Sequence, residues 1–389
     1  MASHQALRAV SRAASAAPST LPPSTTRSVW PLAGASRRPF CSSTTYRSHK
    51  NPLGLPRNNQ RIPPTMPRRG SGPPQPRRIP NVKHIICVSS GKGGVGKSTI
   101  SANLAAALSL TQPSSSSRKP RVGLLDLDIF GPSVPKLMGL EGMGEPELTS
   151  YGGLIPMKNH GVSCMSMGFL LGNNAPRSTA GGDEAVEEEE RVVAWRGMMV
   201  MKATQQLLFD VDWRLNPHAP TPSAPPTEID NLNGPLDVLV IDMPPGTGDV
   251  ALSLTQLVKV DEALIVTTPQ EVALLDAKKG VSMFKKTNVP IAGLVLNMSH
   301  FISPDTGRTF ELFGKSTAVE QYAAREKLDV LARIPLQPQL SAGGDEGIPA
   351  TLREKLPTFE TEKPGSEQPN HIRTAFLELS QKMWSRLGQ

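Results

Sequence analysis

The residues best suited to chemistry lie in one glycine-rich segment, GKGGVGKST, which runs from Gly91 to Thr99. Its spacing matches G-x-x-x-x-G-K-[ST], and it stands between an apolar run and a helical pattern, the setting in which such a loop binds phosphate. The glycines let successive backbone N–H groups turn inward, and the following helix adds its positive end, so a polyphosphate fits there. We expect Lys97 to reach the outer phosphates, Ser98 to coordinate Mg²⁺ and Thr99 to be a secondary hydroxyl. The predicted nucleotide contacts in this loop are Gly91, Gly93, Gly94, Val95, Gly96, Lys97, Ser98 and Thr99.

Acidic residues at the ends of two apolar runs supply the other parts that phosphate transfer needs. Asp242 ends the run LDVLVID, where a carboxylate can hold Mg²⁺ through a bound water, and Gly246 and Gly248 follow in a loop suited to sensing the terminal phosphate. Asp126 and Asp128 end the run VGLLDLD. We expect Asp128 to orient the attacking water, as a catalytic residue, and Asp126 to be a structural or metal-shell acid. These residues predict binding and slow hydrolysis of ATP or GTP with Mg²⁺.

Lys92, directly after the first glycine of the loop, does not fit an ordinary loop of this kind. Within its own loop it would crowd the charge of Lys97. Across a two-fold interface it would reach the phosphates bound by the opposite subunit, as an arginine finger does. Lys92 is therefore predicted to be catalytic in trans, in a homodimer that encloses its nucleotides.

Short apolar runs that alternate with helical patterns must position these residues. Each run is nearly continuous in Val, Ile and Leu, as expected of strands that are covered on both faces. The pattern predicts an α/β fold with a mostly parallel sheet and helices on both faces. The runs are HIICVSS, VGLLDLD, LDVLVID, EALIVTT, IAGLVLNM and VLARIP. Helical spacing near the C-terminus predicts an amphipathic helix that packs on the domain, with Ile372, Phe376, Leu379, Met383 and Leu387 on its apolar face.

Charge is distributed unevenly along the 389 residues. The first 80 residues hold twelve Arg and one Lys without an acid, a block of +13, so the rest of the chain carries −5 of the total +8. Spaced Arg among Ser and Ala at the start is typical of a mitochondrial presequence, and we expect the mitochondrial matrix as the location. A basic tail that binds RNA or anionic lipid is the alternative, although interleaved aromatic residues for base stacking are missing.

The same composition divides the chain into segments. We predict a presequence at 1–40, a disordered basic Pro-rich linker at 41–80 and one ATPase domain at 81–389, with polar surface insertions at 111–119, 172–190 and 214–233. No apolar run approaches the roughly 20 residues of a membrane-spanning helix. The three cysteines, Cys41, Cys87 and Cys164, have no short spacing that would suggest a disulfide framework or a zinc site.

Beyond these patterns, the chain resembles a known family. The string KGGVGKST with its extra lysine resembles the deviant Walker A (SIMIBI-type) P-loop ATPases, which include the septum-positioning and plasmid-partition ATPases. The strings DLDIFGPSVPKLMG, WRGMMVMKATQQLL and VIDMPPGTGDVALSL are similar to the Mrp branch, over nearly the whole span 81–350. This resemblance, with the predicted presequence, implies a homodimer that binds ATP, holds a labile [4Fe-4S] cluster between subunits and delivers it to recipient proteins such as complex I subunits. It also implies that Asn297 contacts the adenine edge.

One segment departs from the family. Where relatives carry C-P-x-C, this chain has Ser303 and Thr306, and a hydroxyl is no soft ligand for iron at neutral pH. His300 and Asp305 lie nearby, but surface loop groups are the better interpretation of them. The iron–sulfur ligands are thus unknown, and two functions stay open. One is an ATPase of mitochondrial iron–sulfur cluster assembly or transfer. The other is a nucleotide-switched dimeric assembly factor that holds no cluster itself.

Overall fold

A computed structural model of the chain describes one compact unit, Gly70–Gln389, from residue 75 onward. The described residues are 75–113, 118–128, 131–150, 152–170, 198–214, 234–303, 306–357 and 367–388. The predicted presequence, most of the predicted linker, the insertion at 172–190 and all but the first residue of that at 214–233 lie outside them, as do Cys41 and Asp305. In the part of the chain that is described, no helix has the length and apolar character needed to cross a membrane.

The described strands form one large sheet and two small hairpin-like pairs. They are β1 (Val82–Ser90), β2 (Val122–Asp126), β3 (Met157–Asn159), β4 (Val162–Ser166), β5 (Leu236–Asp242), β6 (Glu262–Thr267), β7 (Ile291–Leu296), β8 (Phe301–Ile302), β9 (Thr309–Phe310), β10 (Val330–Arg333), β11 (Lys355–Pro357) and β12 (Glu367–Pro369). The large sheet has the order β10-β7-β6-β1-β5-β2-β4-β3. Its neighbours pair in parallel except β3 and β4, which are antiparallel.

All six predicted apolar runs are strands of this sheet, and the α/β fold is confirmed. The central strands are buried along nearly their whole length, because helices cover both faces of the sheet. Parallel strands end at the same edge, so β1, β2, β5, β6 and β7 deliver the loops that follow them to one side of the molecule. The glycine-rich loop and the acids at the ends of β2 and β5 meet at that edge.

Helices connect and cover these strands. They are α1 (Lys97–Leu110), α2 (Val134–Leu137), α3 (Met167–Leu170), α4 (Met198–Phe209), α5 (Asp249–Leu257), α6 (Glu271–Lys286), α7 (Thr317–Glu326), α8 (Pro338–Asp345) and α9 (His371–Leu387), with a 3₁₀ turn at Ala350–Leu352. The predicted C-terminal helix is confirmed as α9, with Ile372, Phe376, Leu379 and Met383 fully buried.

The first helix, α1, is buried on nearly all sides. It packs on the sheet through β2 and β5 and is covered by α9 and the 3₁₀ turn. Small alanine side chains along α1 permit this close packing on two fronts, and the Thr111 and Ser380 hydroxyls lie 2.6 Å apart where α1 ends against α9. The helix that follows the phosphate-binding loop is therefore held from both sides.

Residues 75–80, which the sequence assigns to the linker, belong to the folded unit. The Arg77 N–H donates to the Leu257 carbonyl at 2.9 Å, and the Lys259 N–H donates back to the Arg77 carbonyl at 3.0 Å. The Arg77 guanidinium lies 3.6 Å from the centroid of the Phe209 ring, and Ile79 is buried. An apolar side chain and a stacked guanidinium thus anchor the end of a segment whose composition alone suggests no packing.

Candidate nucleotide site

The glycine-rich loop joins β1 to α1 and has the backbone geometry of an anion cradle. Gly94 and Gly96 have φ angles of 78° and 82°, in the left-handed region that favours glycine. A Cβ at Gly93 or Gly94 would meet open space, whereas a Cβ at Gly91 would lie 2.1 Å from the backbone carbonyl carbon of Asp276 in α6. Glycine is thus required at Gly91 by close packing and later in the loop by the turn itself. A glycine-rich turn of this kind, followed directly by a helix, can bind phosphate through its backbone N–H groups.

Three of the predicted site residues form one hydrogen-bonded cluster at the start of α1. The Ser98 hydroxyl donates to Asp242 Oδ2 at 2.6 Å, and the Lys97 ammonium lies 2.9 Å from the same oxygen and 3.2 Å from Ser98 Oγ. Asp242 is fully buried and Lys97 is 6% exposed. A hydroxyl and a carboxylate side by side are the hard oxygen donors that Mg²⁺ prefers, so these residues fit a magnesium-bound nucleotide.

Asp126 and Asp128, at the end of β2, occupy different environments. Asp126 is adjacent to Asp242 in the register of β2 and β5 and is fully buried. Its carboxylate accepts backbone N–H groups from Asp128 at 2.9 Å, Ser133 at 3.1 Å and Val134 at 3.2 Å. Burial, followed by the nearby Asp242 charge, raises the pKa of Asp126 to about 7.

Asp126 therefore organises the loop that carries Asp128. The Ser166 hydroxyl of β4 donates to Asp126 at 3.1 Å, so three loop amides and a neighbouring strand converge on one carboxyl group. This geometry fits a structural role for Asp126, one of the two roles predicted for it, and the metal-shell role stays a prediction. Asp128 lies two residues beyond β2, in the loop, and its catalytic role remains a prediction.

Asn297, directly after β7, lies against the glycine-rich loop. Its Nδ2 donates to the Val95 carbonyl at 2.8 Å, and a Cβ at Gly96 would come within 2.3 Å of that nitrogen. The backbone N–H of Asn297 is fixed by the Thr267 carbonyl at 2.8 Å. Its Oδ1 is buried and has no hydrogen-bond partner among the described residues. Thus Nδ2 of Asn297 bonds to the loop, while Oδ1 is an acceptor without a hydrogen bond to a described residue.

Lys92 lies next to Gly91, where the loop passes α6. The Ser90 hydroxyl donates to the Lys92 carbonyl at 3.0 Å, and the Ser90 carbonyl accepts the Gly246 N–H at 2.9 Å. This second contact ties the loop after β5 to the start of the glycine-rich loop. Lys92 is partly buried, and none of the hydrogen bonds or ion pairs between described residues involves its ammonium. Its role across a dimer remains a prediction.

Ser303 and Thr306 lie in the turn that joins β8 and β9. The Ser303 N–H donates to the Arg308 carbonyl and the Gly307 N–H to the Ser303 carbonyl, both at 2.9 Å. The Thr306 hydroxyl accepts the Arg308 N–H at 3.4 Å. These contacts stabilise a short hairpin through the backbone, and they hold in its turn the two hydroxyl residues that the sequence analysis expects at the cysteine positions of the Mrp branch.

The two described cysteines lie in strands of the large sheet, and their thiols are protonated at neutral pH. Cys87 and Cys164 are buried in β1 and β4, and burial raises the pKa of both thiols, so neither is a thiolate at neutral pH. His300 Nδ1 lies 2.8 Å from Ser299 Oγ, and burial lowers the pKa of this imidazole. Among the described residues no three His, Cys, Asp or Glu side chains form a group suited to a metal ion. The described cysteines and the hydroxyls of Ser303 and Thr306 therefore supply no thiolate for a [4Fe-4S] cluster.

Two buried polar residues of α1 were missed by sequence reasoning. Ser101 donates to Asp242 Oδ1 at 2.7 Å, and Asn103 accepts the Thr351 hydroxyl at 2.9 Å while donating to the Thr99 carbonyl at 2.9 Å. Ser101 follows Lys97 by four residues and Ser98 by three, so helical spacing places all three on one face. This helical spacing is the sequence signal from which Ser101 could have been predicted as a site residue.

Known proteins are similar to this chain over most of its length. A family profile of ParA proteins, described as NUBPL iron-transfer P-loop NTPase, matches residues 81–216 and 229–364. The mouse iron-sulfur cluster transfer protein NUBPL is 40% identical over 316 residues, 81% of this chain and 81% of the mouse protein. The Arabidopsis thaliana iron-sulfur protein required for NADH dehydrogenase, mitochondrial, is 41% identical over 275 residues, 71% of this chain and 74% of that protein.

A solved structure agrees with these matches. The nucleotide-binding protein of Archaeoglobus fulgidus, solved in complex with ADP, superposes with a TM-score of 0.52 at 31% identity. The superposition covers 70% of this chain and 89% of the archaeal chain.

Proposed function

Because the chain belongs to the NUBPL iron-transfer group of ParA-type P-loop NTPases, we propose that it binds ATP with Mg²⁺ and serves mitochondrial iron–sulfur cluster assembly or transfer, for respiratory complex I. The observation that carries this proposal is the family match over residues 81–216 and 229–364. These two ranges include the glycine-rich loop and Asp242. The names of the mouse and Arabidopsis relatives support the cargo and the recipient.

The residues of the site divide the work of binding and slow hydrolysis. The loop amides and Lys97 neutralise the phosphates, while Ser98 and Asp242 hold Mg²⁺, which when bound supplies charge neutralisation on the phosphate oxygens. Asp128 positions the attacking water, and Lys92 reaches the nucleotide of the partner subunit in a homodimer. Asn297 offers its buried Oδ1 to the amino group of adenine, because its Nδ2 already bonds to the Val95 carbonyl.

The same family membership supports a mitochondrial location. The N-terminal block of +13 without an acid is suited to import, and the name of the Arabidopsis relative includes the word mitochondrial. We propose the matrix as its compartment within the mitochondrion. Residues 1–80 fused to a fluorescent protein should enter mitochondria and be protected from added protease after the outer membrane is opened. A fusion that stays in the cytosol would contradict the proposed location.

A second function is favoured by one specific observation, the hydroxyls of Ser303 and Thr306. In this version ATP closes the dimer and hydrolysis opens it, so that the protein binds and releases a partner in turn. The protein itself holds no cluster. Both versions act in iron–sulfur or complex I assembly, and they differ in whether the cluster is ever bound to this chain.

Anaerobic reconstitution with iron and sulfide, with and without ATP, separates the two versions. A cluster-holding protein gains stoichiometric iron and transfers it to an apo-recipient in an ATP-dependent way. An assembly factor remains free of iron, yet ATP still controls its binding to the recipient. A chain that shows neither iron uptake nor nucleotide-dependent partner binding would refute the proposed function.

A further inference from the structure

We infer that Ser101 is a positioning residue that orients the Asp242 carboxylate for Mg²⁺, an inference that rests on the proposed magnesium–nucleotide site. The two oxygens of Asp242 have different partners. Oδ2 contacts Ser98 and Lys97, whereas Oδ1 has one described donor, the Ser101 hydroxyl at 2.7 Å. Ser101 therefore holds the side of the carboxylate that faces away from the metal-binding hydroxyl.

The Ser101 hydroxyl has one proton and two acceptors within reach. The Lys97 carbonyl lies 3.0 Å away, one helical turn earlier, and Asp242 Oδ1 lies 2.7 Å away. A hydrogen bond to an ionised acceptor is shorter and about twice as strong as one to a neutral carbonyl, so the proton goes to Asp242. The bond thus links α1 to the end of β5 independently of Lys97 and Ser98.

This link matters because a carboxylate turns easily about its last torsion. That torsion has a broad, two-fold preference rather than sharp staggered wells, so hydrogen bonds must fix its angle. Asp242 and Ser101 are both fully buried, and water does not replace a lost donor at Oδ1. Without Ser101, Oδ2 keeps its neighbours, but the carboxylate loses the fixed plane in which it would accept a hydrogen bond from a magnesium-bound water.

The test measures the Mg²⁺ dependence of nucleotide binding in the full-length protein. A fluorescent ATP analogue is titrated in EDTA and at increasing Mg²⁺, with wild type, Ser101→Ala and Ser101→Thr. We expect Ser101→Ala to raise the Mg²⁺ concentration at half-saturation by about tenfold, the lower end of effects seen when such supporting residues are removed. Binding in EDTA should stay within twofold, and Ser101→Thr, which keeps the hydroxyl, should remain near wild type.

Ser109 provides the matched control on the same helix. Its hydroxyl donates to the Ala106 carbonyl at 2.7 Å and bonds to no carboxylate among the described residues, so Ser109→Ala should leave both titrations unchanged. If Ser101→Ala does not fold, Ser101→Cys tests the same point, because a thiol of similar size is a weak donor.

The outcomes separate the inference from the function on which it rests. Wild-type protein without any Mg²⁺-dependent nucleotide binding would refute the proposed site. A Ser101→Ala protein with wild-type Mg²⁺ dependence, or with equal losses in EDTA and in Mg²⁺, would overturn the positioning role alone.

Discussion

Replacing Lys97 by Met, alone and together with Asp242→Asn, tests how the buried cluster is held together. The Lys97 ammonium lies 2.9 Å from Asp242 Oδ2, with side chains that are 6% and 0% exposed. Removing one charge of a buried pair costs roughly 3–5 kcal/mol because the other charge is left uncompensated. Two serine hydroxyls still donate to Asp242 in the variant, so we expect the lower end, about 3 kcal/mol.

The double variant gives the sharper result, because it removes both charges. Asp242→Asn alone leaves a buried ammonium and should also cost about 3 kcal/mol, whereas Lys97→Met/Asp242→Asn leaves no unpaired charge and should cost less than either single variant. At roughly 2 °C per kcal/mol for a domain of this size, Tm measured by circular dichroism without nucleotide should fall by about 6 °C in each single variant and by less in the double variant. A fall of about 12 °C in the double variant would mean additive effects and would refute a coupled pair.

An exposed pair of nearly the same length is the control. Lys279 Nζ lies 2.8 Å from Asp276 Oδ1, but these side chains are 68% and 23% exposed. Lys279→Met should cost less than about 1 kcal/mol, since exposed ion pairs are screened and loosely held. Equal losses for Lys97→Met and Lys279→Met would show that burial does not determine the effect.

Three further predictions concern the nucleotide and the cluster. Lys92→Ala should bind nucleotide normally but lose ATP-driven dimerisation in light scattering and about 10³-fold in hydrolysis, whereas unchanged hydrolysis would exclude a lysine acting in trans. Asn297→Ala should weaken ATP binding in calorimetry by about tenfold, because the loop loses a buried hydrogen bond worth about 1.4 kcal/mol, and wild-type affinity would contradict this support of the loop. Wild-type protein should retain no stoichiometric iron after anaerobic reconstitution, whereas the Ser303→Cys/Thr306→Cys variant should bind it, and iron in both proteins would point to ligands elsewhere.

The fold could be predicted from the sequence because its central strands are buried on both faces. Continuous Val, Ile and Leu runs mark six strands of the sheet without any knowledge of their partners. The strand β4 escaped prediction since Ser163 and Ser166 interrupt its apolar pattern. Ser166 is tolerated inside the core because its hydroxyl donates to Asp126, a partner distant in sequence.

The site could be predicted only in part from the sequence, because some of its residues meet only when distant segments pack together. The spacing of the glycine-rich loop identified Lys97 and Ser98, because their chemistry is local to one turn of chain. Strand pairing, which places Asp126 beside Asp242, and the contact of Asn297 with Val95 arise only when distant segments pack. Contacts of this kind determine which acid supports the loop and which serine supports the carboxylate.

The burial of α1 between the sheet and α9 has a consequence for how the protein matures. The helix that covers α1, His371–Leu387, is the last of the described elements along the chain, so it is synthesised after the sheet and α1. Until it docks, the alanine-rich side of α1 that faces away from the sheet lacks its cover. The helix that follows the glycine-rich loop is therefore packed from both sides only once the C-terminal end of the domain has folded onto it.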